Sequence, residues 1–370
     1  MSGVYIHIPF CISKCPYCDF YSYRCSAEKR REYIDALLNE ITTLRRCGKY
    51  INSHFKADTL YLGGGTPSVL TGEELEEIII TTKKHFLIDE NAEITVECNP
   101  SSDIESILPF LKRAGVNRIS LGMQSAVDKE RRTLGRKADK ERISQVIALL
   151  REYGITNISL DIMLGIPHQT KESLNETLDF IIEAGVPHVS AYILKIEDGT
   201  HFHKSREKYV FPDEDIVCDF YEECSRKLKN ADFEHYEISN FAKPGYESKH
   251  NTKYWQLEDY LGLGPGAHSF IDGQRFYFEA DTAAFIKGNE PVFDGKGGDA
   301  EEYIMLSMRL QTGINLLCLS ELHGEAYAKR IIKKAPLLKE KGLINYDGNT
   351  VSLTEKGMLL SNSIIAEFIY

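Results

Sequence analysis

Long apolar runs are missing from this sequence. No stretch approaches the ~18 residues needed to cross a bilayer, and residues 1–15 carry neither a basic leader nor the apolar core of a secretory signal. The expectation is a soluble, cytoplasmic protein. Basic residues are the minority sign, 44 Lys and Arg against 55 Asp and Glu, and the net charge of −11 repels polyphosphate and anionic membranes. A nucleic-acid role would need a local basic patch, and the sequence has none. Paired cysteines are lacking too: nine is an odd number, scattered over 370 residues, which argues against a disulfide scaffold and for reduced thiols. What is present is ample core material, 42% hydrophobic with 27% charged residues, in a chain of roughly two to three domains' length.

Six cysteines, Cys25, Cys47, Cys98, Cys218, Cys224 and Cys318, read as packing residues, since a free cysteine behaves as a small apolar group. The other three form Cys11-x3-Cys15-x2-Cys18, in a loop opened by Pro9 and stiffened by Pro16. Thiolates at such spacing can wrap a metal centre. Structural zinc asks for four ligands, and no further cysteine or histidine follows at compact spacing. An iron-sulfur cluster on three cysteines would leave one iron with an open position. Unbound thiols, or zinc completed by a distant histidine, are the plainer readings of the triad taken alone.

The first 200 residues repeat a β-rich run, a Gly/Pro/Asn break and a helical-period stretch. The runs are 4–8, 59–62, 93–97, 118–121, 157–163 and 188–194. Between them lie faces such as Leu75, Ile78 and Ile79, after Thr71 and Glu74 in capping-box order. This alternation predicts α/β architecture with a parallel sheet, and six strands predict an open, partial (β/α)6 barrel with its chemistry past the strand C-termini. Three regions are expected: the partial barrel over 1–205, a connecting region over 206–298 and a winged-helix-like domain over 299–370. The last is read as three short helices and a hairpin turning at Asp347-Gly348-Asn349. From Glu301 onward it carries eight basic and eight acidic residues, so it lacks the basic face of a duplex binder and reads as a capping or docking module.

Several ordered motifs accompany the triad: Tyr5-Ile6-His7-Ile8-Pro9-Phe10-Cys11, Gly63-Gly64-Gly65-Thr66-Pro67, Leu121-Gly122-Met123-Gln124-Ser125, Asp161 to Pro167, and His250-Asn251-x-x-Tyr254-Trp255. With them the chain resembles the radical S-adenosylmethionine (SAM) superfamily, and within it the oxygen-independent coproporphyrinogen oxidases and their haem chaperone branch, over essentially its whole length. The resemblance implies a 4Fe-4S cluster on Cys11, Cys15 and Cys18, with SAM bound at the open iron and one-electron chemistry at its sulfonium. It implies SAM contacts from Tyr5, Gly64, Gly65, Thr66, Glu97, Gln124, Arg136 and Asp161. The glycines suit close backbone approach and Arg136 suits a carboxylate. Taken singly, a glycine triplet before proline is a common turn, Arg136 a surface cation beside Asp139, and Asp161 a structural hydrogen-bonder.

Two departures count against coproporphyrinogen dehydrogenation. Phe20 stands where those oxidases carry a fourth cysteine, and Tyr5 lies four residues from the start, where they have an N-terminal extension. The expected function is therefore haem binding and transfer, with the oxidase as the alternative from the enzyme class. His250 is a candidate haem ligand, Tyr254 a weaker one, and Trp255 a stacking surface; His268 competes, and a turn packing the single tryptophan into a core is the bland alternative. The expected partners are haem and haem-accepting respiratory proteins, with a membrane-surface setting and a homodimer entertained beside them.

Overall fold

Six of the β-rich runs become six parallel strands. The structure, a computed structural model, describes residues 1–51 and 55–370. Strands β1 (Ser2–Ile8), β2 (Ala57–Gly64), β3 (Glu93–Cys98), β4 (Arg118–Gln124), β5 (Asn157–Leu164) and β6 (His188–Ile193) lie side by side in chain order. Every neighbouring pair is parallel. The helices Ala27–Thr43, Gly72–His85, Ile104–Ala114, Lys140–Glu152 and Lys171–Ala184 make the connections. The capping box expected at Thr71 forms: the Thr71 amide donates to Glu74 Oε2 at 2.8 Å, and the Glu74 amide donates to Thr71 Oγ1 at 3.3 Å. That helix then buries Leu75, Ile78 and Ile79 against the sheet. Outward strand residues such as Val4, Ile6, Ile8, Leu60 and Leu62 are fully buried beneath the helices, each contributing about 1.5–3 kcal/mol.

The sheet does not close. The region expected as a connector, 206–298, lengthens it at both edges: β7 (Glu234–Glu237) and β8 (Asn240–Ala242) continue it beyond β6, while β9 (Tyr260–Leu263), β10 (His268–Ile271), β11 (Gln274–Tyr277) and β12 (Val292–Lys296) continue it beyond β1. β9 runs parallel to β1, and β8 antiparallel to β6. The expected division at residue 205 is thus no break in the sheet, which has twelve strands among the described residues. An unclosed six-stranded sheet has two rows of unpaired backbone groups at its edges, and this segment pairs both.

The tail forms a second sheet, in which β13 (Ile314–Asn315) joins the predicted hairpin of β14 (Ile344–Tyr346) and β15 (Thr350–Leu353). Asp347 Oδ1 accepts from the amides of Asn349 and Thr350 across the turn. Five helices, not three, surround it: Ala300–Ser307, Leu316–His323, Glu325–Glu340, Glu355–Leu359 and Ser361–Ile369. Arg309 ties this module to the main sheet, lying 4.2 Å over the Trp255 ring and 3.5 Å from Glu237. Among the described residues no helix is long and apolar enough to cross a membrane.

Candidate functional site

Parallel strands covered by helices usually read as unbroken apolar runs. Here they alternate, because only one face packs on helices. The other lines the half-barrel and is polar: Tyr5 and His7 on β1, Thr59 and Tyr61 on β2, Glu93 and Glu97 on β3, Arg118 and Ser120 on β4, Asp161 on β5, His188 and Ser190 on β6. In register, Glu97 stands beside Ser120, and Asp161 between Gly122 and Ser190. Polar side chains facing inward at the carboxyl ends of strands make a ligand cavity rather than a packed barrel core.

The triad loop is pinned above that cavity. The Cys11 amide donates to Tyr23 O at 3.1 Å, the Tyr23 amide returns to Pro9 O at 3.0 Å, and the Cys18 amide donates to Cys15 O at 3.2 Å. The glycine turn after β2 locks beneath it, Gly65 donating to Ile8 O and Thr66 to Phe10 O, both at 2.8 Å. Thr66 Oγ1 then lies 3.4 Å from Cys11 Sγ. The glycines are required by sterics: a Cβ on Gly65 would sit 2.6 Å from Phe10 O, and Gly64 has φ +106° with His7 Cε1 2.5 Å from where a Cβ would be.

One cavity of about 420 Å³ receives Cys11, Cys15, Cys18, Gly64, Gly65, Thr66, Glu97, Gln124, Arg136 and Asp161. All three cysteines and seven of the eight predicted SAM residues therefore meet in one place. Tyr5 does not. It lines the adjoining cavity, which shares Gly64 and Glu97 with this one, and its hydroxyl lies 3.1 Å from His7 Nδ1. The alternation also supplies wall residues that the motifs did not single out, Ser120 and Tyr192, together with Tyr17 inside the triad loop.

Arg136 donates to Gly122 O at 2.6 Å and reaches Cys15 Sγ at 3.7 Å, while its Nε has no partner among the described residues. Gln124 sits at a register shift with φ +71°, and its buried Oε1 is likewise unpartnered. Glu97 accepts from Tyr61 at 2.7 Å and from the Gly64 amide at 3.3 Å. Burial pushes its carboxyl up to about 7 against the pull of the Tyr61 hydroxyl, with the nearby Asp161 charge pushing the same way. Burial also raises Asp161, which accepts from Ser120 at 3.0 Å. Two buried carboxyls, an unpaired amide oxygen and a guanidinium with a free nitrogen suit a guest that is cationic at one end and carboxylate at another. SAM fits that description.

Among the described residues no three His, Cys, Asp or Glu side chains converge on a single ion position. A mononuclear site needs that convergence, whereas a cluster takes one thiolate per iron.

His250 and Tyr254 are brought together, but at the opposite end. Their helix, Lys249–Trp255, plugs the amino-terminal mouth of the half-barrel, its first amides donating to Glu93 at the start of β3. His250 touches Gly3 and Thr59 at the starts of β1 and β2. The triad follows the other end of β1, about 15 Å away at ~3.3 Å per residue. The His250 ring is fully buried, with Nδ1 2.8 Å from Thr59 Oγ1 and Nε2 2.8 Å from Tyr254 Oη. Burial lowers it to about 3 and keeps it neutral. In this conformation the pair forms a buried polar plug. Trp255 is likewise committed, to Arg309.

Residues 5–181 match the radical SAM superfamily model, and residues 299–360 the HemN C-terminal domain model. The fold is that of coproporphyrinogen III oxidase (HemN) from Escherichia coli, a radical SAM enzyme: TM-score 0.83, 24% identity, covering 99% of this chain and 89% of that one. The scaffold is that of a radical SAM protein. Among curated relatives, the haem chaperone HemW of Escherichia coli (strain K12) is 37% identical over 99% of this chain and 98% of its own length. That of Bacillus subtilis (strain 168) is 33% identical over 100% and 99%, and that of Mycobacterium tuberculosis (strain ATCC 25618 / H37Rv) 33% over 98% and 93%. The chain belongs to the HemW family.

Proposed function

We infer that this protein is a haem chaperone on a radical SAM scaffold, binding haem and handing it to acceptor proteins of respiration. The observation that carries this reading is the end-to-end likeness to haem chaperones, 30% to 37% identical over 89% or more of this chain. In this reading Cys11, Cys15 and Cys18 hold a 4Fe-4S cluster and leave its fourth iron to SAM; a reduced cluster with SAM bound supplies one-electron chemistry at the sulfonium. Arg136 would take the SAM carboxylate, the Gly64–Thr66 turn would leave room for its methionine moiety, and Glu97, Gln124 and Asp161 would hold its amino and ribose groups. The cofactor face thus serves regulation or redox poise, and haem is cargo rather than a resident group.

The test is anaerobic reconstitution with iron and sulfide, followed by titration with SAM and then haem. Wild-type protein is expected to take up about four iron and four sulfide per chain, to change its cluster spectrum on adding SAM, and to develop a Soret band with haem. Cys11→Ala should lose the cluster while its circular dichroism stays native. Absence of a Soret band in the reconstituted wild type would overturn the chaperone reading.

A further inference from the structure

The chain carries a net charge of −11, but the segment around the triad has the opposite sign. Residues 11–31 hold five basic side chains, Lys14, Arg24, Lys29, Arg30 and Arg31, against two acids, Asp19 and Glu28. Two of the five are neutralised: Arg30 pairs with Glu74 at 3.1 Å, and Arg31 with Asp35 and Glu77. Lys14, Arg24 and Lys29 are exposed and form no ion pair among the described residues.

These cations flank the cysteines. Phe10 and Tyr23 form a parallel bridge and the Cys11 amide donates to Tyr23 O at 3.1 Å, so the next two residues, Cys11 and Arg24, lie side by side. Both line a second cavity of about 700 Å³, which shares Cys11, Ile12, Val69 and Ser102 with the cofactor cavity. Cys11 is therefore approached from outside the SAM pocket as well as from within. Lys14 folds back to donate to Phe20 O and Ser22 Oγ, neutral oxygens that leave its charge uncompensated. Two apolar side chains stand among the cations at the mouth of the cofactor cavity, Ile12 62% and Phe20 66% exposed. Large apolar side chains exposed together and rimmed by charge mark a contact surface.

One-electron chemistry at the sulfonium needs an electron from outside, and its donor must come close to the cysteines because transfer falls steeply with distance. We propose that the outer face of the triad loop, with Ile12, Lys14, Phe20, Arg24 and Lys29, is the docking surface for a small acidic one-electron carrier protein. One electron passes from the reduced carrier to the oxidised cluster; the carrier is oxidised by one electron, and no bond forms or breaks. Charge complementarity selects this occupant: an acidic protein is repelled by the molecule as a whole and attracted only by such a local positive surface, which steers it to the triad. A patch this small suits a transient redox encounter, which buries less than ~1,200 Å². The assignment rests on the cluster part of the reading above and is independent of haem.

The experiment is stopped-flow reduction of the reconstituted full chain, with SAM bound, by reduced flavodoxin, an acidic flavin carrier whose semiquinone reports each electron delivered. The wild-type second-order rate constant is expected to fall ~tenfold between ~50 and ~500 mM salt. Arg24→Glu/Lys29→Glu, both outside the triad, should lower it ~tenfold at low salt and flatten its salt dependence. Cluster iron, SAM binding and reduction by photoreduced deazariboflavin, a small uncharged donor, should stay as in wild type. Lys333→Glu, on the C-terminal module, should change nothing. A double variant reduced by flavodoxin as fast as wild type would overturn this assignment alone, as would a wild-type rate indifferent to salt or an equal slowing with deazariboflavin. A wild type that takes up no cluster would overturn the cluster reading as well.

Discussion

Glu97 shows how one side chain links the barrel interior to its guest. Its carboxyl is inside the half-barrel, hydrogen-bonded to Tyr61 and Gly64, and burial holds it near 7 rather than at the usual ~4.3. A folded value above the unfolded one means that the protonated form favours the apo fold. That contribution is fully present below ~4.3 and is lost as pH rises through about 7. A cationic guest reverses the preference. SAM affinity should therefore rise as pH passes from 6 to 8, and Glu97→Gln should weaken binding and flatten its pH profile; isothermal titration at several pH values checks both. An unchanged profile in the variant would remove Glu97 from the site. At this scale most of the cofactor pocket was legible, since cysteine spacing, a glycine triplet and a carboxylate at a strand end are local signals. The place of His250 was not: the motif was visible, but which end of the barrel it would occupy depends on Glu93, Thr59 and Gly3, all distant in sequence.

The strand-to-turn element at 57–66 joins the half-barrel interior to the triad loop. β2 delivers Tyr61 inward, ends at Gly64 in a positive-φ conformation and passes under the triad loop through two backbone hydrogen bonds. Gly64→Ala combines a strained backbone with a methyl group driven into the His7 ring. It should cost about 1–3 kcal/mol, seen as a lowered melting temperature, together with loss of SAM binding; a variant as stable as wild type that binds SAM normally would contradict the geometry. The six inner strands were readable because each is a β-rich run followed by a helix with its own cap. The six outer strands were not. β7, β8 and β9 to β12 are three to five residues long and mostly antiparallel, as in Glu234–Glu237. Runs that short give no dependable period, and their existence follows from the unpaired edges of β1 and β6.

Across the whole molecule, three layers stack along the strand axis. The HNxxYW helix closes the amino-terminal mouth, the polar half-barrel fills the middle, and the triad loop covers the carboxyl end beside the β10–β11 hairpin. The C-terminal module docks against the closed end, through Arg309 on Trp255 and Glu237 and through Glu355 on Ser225 at 3.0 Å. It thus stays clear of the cofactor cavity. This division explains why the likeness to haem chaperones runs the full length of the chain while the chemistry-bearing residues gather at one end. The most direct measurement is electron-nuclear double resonance on the reduced, reconstituted protein with SAM labelled in its amino nitrogen and carboxylate oxygens. The account predicts hyperfine coupling of both labels to the cluster, because three thiolates leave one iron for the cofactor. Reduced cluster signals that never couple to either label would contradict it.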